Sequence, residues 1–242
     1  MRSLGTLLLS VSGAALAGFS CAQGDTSSSD LNPSAVQSSG YFEPIQQLGV
    51  YLDGFHVMKQ APDLFLEAHH YCAAKSDDLL QCAIFDGNTS DANLVGIEYI
   101  VSERLFDRLP ADEKKFWHPH DYEILSGQLV APAMPESEEK ALMKKWMNSY
   151  GKTWHLWNTG YFGRPHADPV PLGVPMLAWS FNADGEVPAQ MVSDRDQRFG
   201  ISTEQRRTDR ADLRPLAQPQ EGVNDLAPFF PNRHVPDFVK AK

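Results

Sequence analysis

A predicted β-hairpin constrains the fold of this chain more than any other feature of its sequence. Two segments of strand character, 64–72 and 79–85, flank a short polar turn. Antiparallel pairing across that turn places Cys72 directly opposite Cys82. His70 lies two residues before Cys72, and the two side chains therefore share a face of the strand. The hairpin predicts an antiparallel sheet with a histidine and two cysteines on one side.

The rest of the folded part is predicted to combine helices with short strands. The pattern favours a single α+β domain over residues 41–213, with a mainly antiparallel sheet and flanking helices. A proline-rich C-terminal tail, 214–242, is expected to be extended. Helices are predicted over 44–58, over 102–117 with an interruption at Pro110, over 135–149 with an end near Gly151, and over 188–213; strands are predicted over 94–101, 122–130 and 176–181.

The first 20 residues are predicted to be an export signal. Arg2 precedes an apolar run that is too short to span a bilayer comfortably. Cleavage after Ala15-Leu16-Ala17 would release a secreted protein, whereas acylation of Cys21 would give a bacterial lipoprotein. The polar residues 21–40 then predict a flexible tether. The expected location is the periplasm or the cell envelope, or alternatively the medium.

The net charge and the cysteine count restrict the class of protein. With 21 Lys and Arg against 31 Asp and Glu, the formal net charge is −10. Such a chain repels phosphate backbones, so we expect no nucleic-acid partner. Three cysteines are too few for a disulfide-built miniature fold. Three interpretations of Cys72 and Cys82 are open. The two residues form a cross-strand disulfide, which export favours, or they are two buried thiols, or they bind a metal together with His70.

The segment 117–123 contains the sharpest candidate site. His118 and His120 are two residues apart, so they share a face on an extended segment, and Glu123 follows three residues later. Two imidazoles and a carboxylate are typical ligands of zinc, iron and manganese, and the spacing partly resembles the metal motif of cupins. The alternative is a pair of structural histidines that bond to the backbone at a corner.

Further histidines extend this candidate site. Neighbouring residues on a strand point to opposite faces, so only one of His69 and His70 joins it. We expect His70 and His155 to be added to the ligands of a divalent transition metal. A metal-free acid–base site, built from histidine with Glu98 or Glu123, is a further alternative. No nucleophile elbow, zincin helix or dinucleotide fingerprint is present, so the motifs assign no enzyme class.

Nine short motifs occur in a fixed order along the folded part. They are 52–56 (LDGFH), 69–72 (HHYC), 81–82 (QC), 96–99 (GIEY), 117–120 (WHPH), 150–155 (YGKTWH), 171–175 (PLGVP), 195–196 (RD) and 199–201 (FGI). Each motif is weak alone, but the ordered set is specific. It resembles the oil-body-associated protein family, whose domain of unknown function occurs in plants, fungi and bacteria. The resemblance covers about residues 42–212.

The resemblance implies an association with lipid droplets in plant seeds, and it supplies no catalytic residue or cofactor. The export signal and the tether of this chain favour an envelope setting instead. We therefore expect a non-enzymatic protein that associates with lipid or a membrane surface. The alternative is a metal-binding protein or a metal-dependent enzyme that uses the cluster of histidines and glutamates.

Overall fold

Seven strands form one antiparallel sheet in the computed structural model, which describes residues 43–157 and 170–242. The strands are β1 (Val50–Met58), β2 (Ala61–Ser76), β3 (Leu79–Phe85), β4 (Leu94–Val101), β5 (His118–Pro119), β6 (Tyr150–His155) and β7 (Met176–Ser180). Their order is β4-β3-β2-β1-β7-β6-β5, and β4 also pairs with β6. That additional pairing closes six strands into a barrel, and the short β5 adds to β6.

Helices connect the strands and cover part of the barrel. The mixture agrees with the expected α+β class and its mainly antiparallel sheet, whereas the closure into a barrel was not predicted. The helices are α1 (Glu43–Gln46), α2 (Glu103–Phe106), α3 (Ala111–Lys114), α4 (Asp121–Leu125), α5 (Glu136–Trp146), α6 (Ala189–Phe199) and α7 (Thr203–Asp209), followed by a 3-10 helix at Ala211–Leu216.

The predicted hairpin is confirmed in its register. Cys72 of β2 is paired with Cys82 of β3, and His70 is paired with Ile84. A bulge shortens the connection so that Ser76 is already paired with the first residue of β3. The strand predicted over 94–101 is also confirmed, because β4 has the same first and last residues.

The helix predicted over 44–58 is wrong for most of its length. Only Glu43–Gln46 is helical, and β1 begins at Val50. The alternation expected of a strand is hidden because residues 52–58 of β1 are all buried. Even-numbered residues such as Leu52 face the barrel interior, and the intervening ones lie under the outer layer. A run of buried residues without polar alternation is compatible with a buried helix as well as with a strand, and for this reason the sequence pattern was misinterpreted.

Two further predictions in the middle of the chain are wrong. The strand predicted over 122–130 is the short helix α4 and a turn, and only Val130 forms a bridge, with Asp53 of β1. Gly151 does not end a helix: α5 ends at Trp146, and Gly151 is the second residue of β6. All five residues of α4 are buried, so this segment lacks the polar face by which a surface helix is recognised.

Buried arginines attach the outer layer to the barrel. The guanidinium of Arg195 in α6 is fully buried and donates hydrogen bonds to Asp53 Oδ1 at 3.1 Å and to the carbonyl of Gln128 at 2.9 Å. The guanidinium lies 4.9 Å above the ring of Phe55, which faces outward from β1. Hydrogen bonds from a charged guanidinium are stronger than those between neutral groups, so Arg195 holds α6 firmly against β1.

The residues after 213 pack on the barrel in the described structure. Gln220 is fully buried, its amide donates to the carbonyl of Ser149 at 2.9 Å, and its carbonyl accepts from the backbone of Asp121 at 2.9 Å. Val223 and Leu226 are buried in the same core cluster as Trp179 and Phe55 of the barrel wall. The C-terminal segment therefore contributes to the core and also supports the segment that follows β5.

Cys72 and Cys82 are joined by a disulfide, with their Cα atoms 4.0 Å apart. A cross-link stabilises a protein mainly by restricting the unfolded chain, and the expected gain is about 2–4 kcal/mol. We therefore predict that a reductant lowers the free energy of unfolding by that amount in urea titrations. The double variant Cys72→Ala/Cys82→Ala is the control, because a reductant should leave its transition unchanged. An identical wild-type transition with and without reductant would contradict the prediction.

None of the helices formed by residues 43–157 and 170–242 has the length and apolar character needed to cross a bilayer. The predicted signal (1–20), the acylation site Cys21 and the tether (21–40) lie outside the described residues.

Candidate metal centre

Polar side chains gather inside the barrel, where apolar side chains would normally fill the space. Alternate residues of a strand face the interior, and the strands supply four titratable side chains in this way. The segment around β5 adds two histidines, and α4 adds one glutamate. Every member of this group is at most 5% exposed. The interior group consists of His56, His70, Glu98, His118, His120, Glu123 and His155.

Glu98 lies at the centre of the interior group, and one of its oxygens faces two histidines. Glu98 Oε1 is 3.3 Å from Nε2 of His118 and 3.4 Å from Nε2 of His120. The two Nε2 atoms are 3.2 Å from each other. The three ligand atoms thus form a nearly equilateral triangle. A metal ion about 2.0–2.1 Å from each atom of a tetrahedral site produces such a triangle.

Gly151 lets the three side chains of this triangle pack directly against its backbone. A Cβ atom built on Gly151 would lie 2.6 Å from Nε2 of both His118 and His120, and it would overlap with Glu98 Oε1. Any side chain at position 151 would therefore push the three ligand atoms away from their present positions. Glycine is required here by the close approach of the three side chains rather than by a positive φ.

The second oxygen of Glu98 faces a different pair of histidines. Glu98 Oε2 is 2.8 Å from Nε2 of His70 and 3.9 Å from Nε2 of His56. His155 contacts His56 rather than Glu98, with 3.2 Å between His155 Nε2 and His56 Nδ1. Glu98 is therefore shared between two groups of imidazoles, one at each oxygen.

A hydrogen bond to Ser149 fixes the tautomer of His120. The hydroxyl of Ser149 donates to the carbonyl of Trp146 at 2.5 Å, so its oxygen accepts from Nδ1–H of His120 at 2.7 Å. Neutral His120 then carries no proton on Nε2, and the lone pair of Nε2 points towards Glu98 and His118. A second partner of this kind orients metal-binding histidines in many proteins.

Burial favours the neutral, metal-binding form of three histidines of the interior group, His56, His120 and His155. It lowers the pKa of His120 to about 4, against the favourable charge of Glu98, and the pKa of His155 to about 3. Burial also lowers the pKa of His56 well below its usual value, and the neighbouring histidines add to the effect. A protonated imidazole has no free lone pair, so these environments favour coordination at neutral pH.

The two glutamates of the interior group have opposite pKa shifts. Burial raises the pKa of Glu98, but the surrounding imidazoles of His118, His120 and His70 outweigh burial, and the pKa of Glu98 lies well below its usual value. Burial and the charge of Glu98 raise the pKa of Glu123 well above its usual value. A cation in the interior would stabilise both carboxylates in the ionised form.

All five residues that were predicted as metal ligands, four histidines and Glu123, lie in the barrel interior. Only three of them face an oxygen of Glu98. His118 and His120 face Glu98 Oε1, and His70 faces Glu98 Oε2. His155 contacts His56, and Glu123 Oε1 is 3.7 Å from Nε2 of His120. Glu98 was predicted only as part of the metal-free acid–base alternative, and His56 and Gly151 were not predicted at the site. All three belong to the ordered family motifs, which were the only signal for His56 and Gly151.

His69 lies outside the barrel, as the alternation along β2 predicts. Its Nδ1 is 3.1 Å from Asp53 Oδ2, and its Nε2 is 3.7 Å from Glu67 Oε1. Arg195 pairs with Asp53, and Arg198 pairs with Glu67. These two guanidinium groups already compensate the carboxylates, so the outer cluster has less need of a cation than the interior group.

The fold and the interior group together define an antiparallel β-barrel protein with a buried histidine–glutamate centre. The family described as a protein of unknown function (DUF1264) matches residues 42–214. The chain is 36% identical to oil body-associated protein 1B of Arabidopsis thaliana, over 84% of this chain and 79% of that protein. It is 37% identical to oil body-associated protein 2A of Zea mays, over 81% of this chain and 75% of that protein.

The chain belongs to this family of oil-body-associated proteins, and the resemblance seen in its motifs is confirmed. It is also 39% identical to oil body-associated protein 2A of Arabidopsis thaliana, over 71% of this chain and 68% of that protein. No solved structure matches the chain.

Proposed function

We propose that this protein binds a divalent transition metal ion inside its barrel, through Glu98, His118 and His120. The observation that carries the proposal is the triangle of 3.2, 3.3 and 3.4 Å formed by the three ligand atoms. Two histidines and one carboxylate suit zinc, iron(II) and manganese(II), and the donor set alone does not select among them.

The charges of the interior group support the same proposal. Within the described residues, the ion pairs of Glu98 and Glu123 are all with histidines. Buried carboxylates normally require a cation or several hydrogen bonds, and a histidine, unlike a lysine or an arginine, is not a permanent cation. Glu98 and Glu123 therefore lack a permanent positive charge, and a divalent ion would provide one.

Metal analysis of purified protein tests the proposal. The protein should be produced without an affinity tag, stripped with a chelator, reloaded with Zn²⁺ or Mn²⁺ and measured by elemental analysis. We expect at least one ion per chain in the wild type and a loss in His118→Ala. His234→Ala is the matched control, because His234 has a side chain that is 77% exposed and lies outside the barrel. No binding by the folded wild type on titration would contradict the proposal.

Gly151→Ala provides a test that leaves every candidate ligand in place. The added methyl group would clash with Glu98 Oε1 and with Nε2 of His118 and His120 and would push these ligand atoms apart, so we predict that the variant loses the ion. Gly87→Ala is the control, because its Cβ would meet only Ala92, at an ordinary 3.5 Å. Metal content and circular dichroism should be measured together. A folded Gly151→Ala protein with wild-type metal content would show that the ion binds elsewhere.

Association with a lipid surface is the second candidate function, and a specific observation favours it. The relatives are named for oil bodies, and this chain exposes three apolar side chains close together in sequence. Val170, Leu172 and Val174 are 51%, 56% and 80% exposed. Apolar side chains that water surrounds in one short segment are typical of an interaction surface.

Flotation with triacylglycerol droplets coated with phosphatidylcholine tests this second function. A neutral coat is appropriate because the chain carries a net charge of −10. We expect the wild type to float with the droplets and the triple variant Val170→Ser/Leu172→Ser/Val174→Ser to stay in solution. Leu216→Ser, at a 43% exposed position elsewhere, is the control. Wild type that stays entirely in solution would exclude direct lipid binding by the folded domain.

Export and acylation at Cys21 would together give the protein a separate route to a membrane. One acyl chain holds a protein only weakly, so a second contact with lipid would strengthen the attachment. Fractionation of expressing cells should find the wild type with membranes and Cys21→Ser in the soluble fraction. The same soluble distribution for both proteins would contradict the lipoprotein interpretation and leave the secreted one.

A further inference from the structure

We propose that the barrel holds two divalent metal ions rather than one, and that Glu98 bridges them through its two carboxylate oxygens. The inference rests on the proposed function and deepens it, because it assigns the number of ions and the ligands of each. The first position is the one at Glu98 Oε1, His118 and His120. The second position is at Glu98 Oε2, on the side of His70 and His56.

The two carboxylate oxygens of Glu98 have separate sets of partners. Oε1 is within 3.4 Å of the imidazoles of His118 and His120, whereas the closest imidazole nitrogen of Oε2 is that of His70, at 2.8 Å. His56 adds a second imidazole to the Oε2 side, at 3.9 Å. One ion bound at Oε1 would leave the second set of imidazoles arranged around an oxygen with no ion to bind.

A small cavity lies in the barrel interior beside Glu98. Its volume is about 10 Å³, and its polar lining consists of His56, His70, Glu98, His120 and Glu123. A cavity of this size has room for about one water molecule or one ion. Both imidazoles of the Oε2 side line this cavity, whereas His118 of the Oε1 side does not, so we assign the second ion to it.

Glu123 supplies a further ligand at the second position. Its carboxylate lines the cavity, and its Oε2 would lie 4.0 Å from a Cβ built on Gly54 across the barrel. With His56, His70 and Glu98, the second position then has four candidate ligands, which is the number a closed zinc site uses. Carboxylate-bridged ions in two-metal sites lie about 3.5–4 Å apart, and the two oxygens of one carboxylate can serve both.

The number of bound ions tests the inference and separates its failure from that of the proposed function. Untagged, chelator-stripped protein should be titrated with Mn²⁺ or Zn²⁺ and its metal content measured after removal of free ion. Two ions per chain are expected. One ion would overturn the bridge and leave the single-ion proposal standing, whereas no ion would overturn both.

Half-site variants assign the two positions. His118→Ala/His120→Ala is expected to keep one ion at the second position, and His56→Ala/His70→Ala is expected to keep one ion at the first. Circular dichroism establishes whether each variant is folded. A folded half-site variant that still binds two ions would contradict the assignment. A folded half-site variant that binds as many ions as the wild type would contradict it as well.

A spectroscopic measurement on the wild type avoids dependence on folded variants. Two Mn²⁺ ions joined by one carboxylate interact magnetically, so the electron paramagnetic resonance spectrum should be broadened and weakened relative to isolated Mn²⁺. Protein loaded with the first equivalent alone, or the half-site variants, should give the isolated signal. An isolated Mn²⁺ spectrum from wild type loaded with two equivalents would overturn the bridge through Glu98.

Discussion

Glu98→Gln is expected to abolish metal binding at neutral pH while the barrel stays folded. The substitution keeps the size of the side chain and removes the negative charge that faces His70, His118 and His120. Loss of a partner outside the ligand shell lowers metal affinity about 10–100-fold, so loss of this central anionic ligand should lower it by about 100-fold or more. The measurement is the dissociation constant of Zn²⁺, obtained by competition with a chelating dye.

Glu136→Gln is the matched control for this experiment, because Glu136 has a side chain that is 72% exposed and pairs only with Arg206 in the described contacts. Its zinc affinity should equal that of the wild type. Thermal unfolding of each protein with and without the ion adds a second readout, since an ion that binds only the native state raises the transition temperature. Wild-type affinity in folded Glu98→Gln would show that the interior group is not the metal site.

Arg210→Ala is expected to lower the free energy of unfolding by about 3–5 kcal/mol. Arg210 is 1% exposed and donates hydrogen bonds to the carbonyls of Ile124 at 2.7 Å and Leu129 at 2.9 Å, and to Glu139 Oε1 at 2.8 Å. Burial lowers the pKa of Arg210 to about 10, against the charge of Glu139, so the side chain is still a cation at neutral pH. The substitution leaves the carbonyls of Ile124 and Leu129 without this donor, and the buried carboxylate of Glu139 keeps Arg206 as its remaining cationic partner in the described contacts.

Urea titration measures the effect, and Arg104→Ala is its control. Arg104 has a side chain that is 62% exposed and pairs with Asp78, so its loss should change the free energy of unfolding by less than about 1 kcal/mol. Because Arg210 supports α4, from which Glu123 projects into the barrel, Arg210→Ala should also weaken metal binding. Equal stabilities of the two variants would show that the buried ion pair does not hold the outer layer in place.

The parts of the fold that could be predicted are those determined by local sequence. The hairpin between 64–72 and 79–85 has a polar turn and two apolar segments, so pairing outward from the turn gives the register. The helix over 135–149 could be predicted because proline and acidic residues precede it and lysines lie near its end. Each of these signals depends on residues within one element or two neighbouring ones.

The closure of the barrel could not be predicted in the same way. It depends on pairing between β4 and β6, in which Gly96 lies opposite His155 and Glu98 lies opposite Thr153. Helices and β5 separate the two strands in the chain, so no turn fixes their register. β1 was missed for a related reason, since a strand that is covered on both faces loses the polar alternation by which strands are recognised.

The candidate site could be predicted in part. His118 and His120 are close in sequence, so their spacing alone indicated a shared face. Glu98 could not be recognised as the centre, because its partner histidines come from β2 and from the segment around β5. A single glutamate in an apolar strand is compatible with a solvent-exposed position until the barrel closes around it. The need for glycine at position 151 could not be predicted either, because it arises from the three side chains that pack against Gly151 in the folded protein.

Metal binding inside the barrel is tested most directly by the metal content of folded, untagged wild-type protein after chelation and reloading. The buried triangle of Glu98, His118 and His120 predicts that the reloaded protein retains at least one divalent transition metal ion per chain through gel filtration, and that Glu98→Gln retains none. A folded wild type that retains no ion, and binds none when titrated with Zn²⁺, Mn²⁺ or Fe²⁺, would contradict the account.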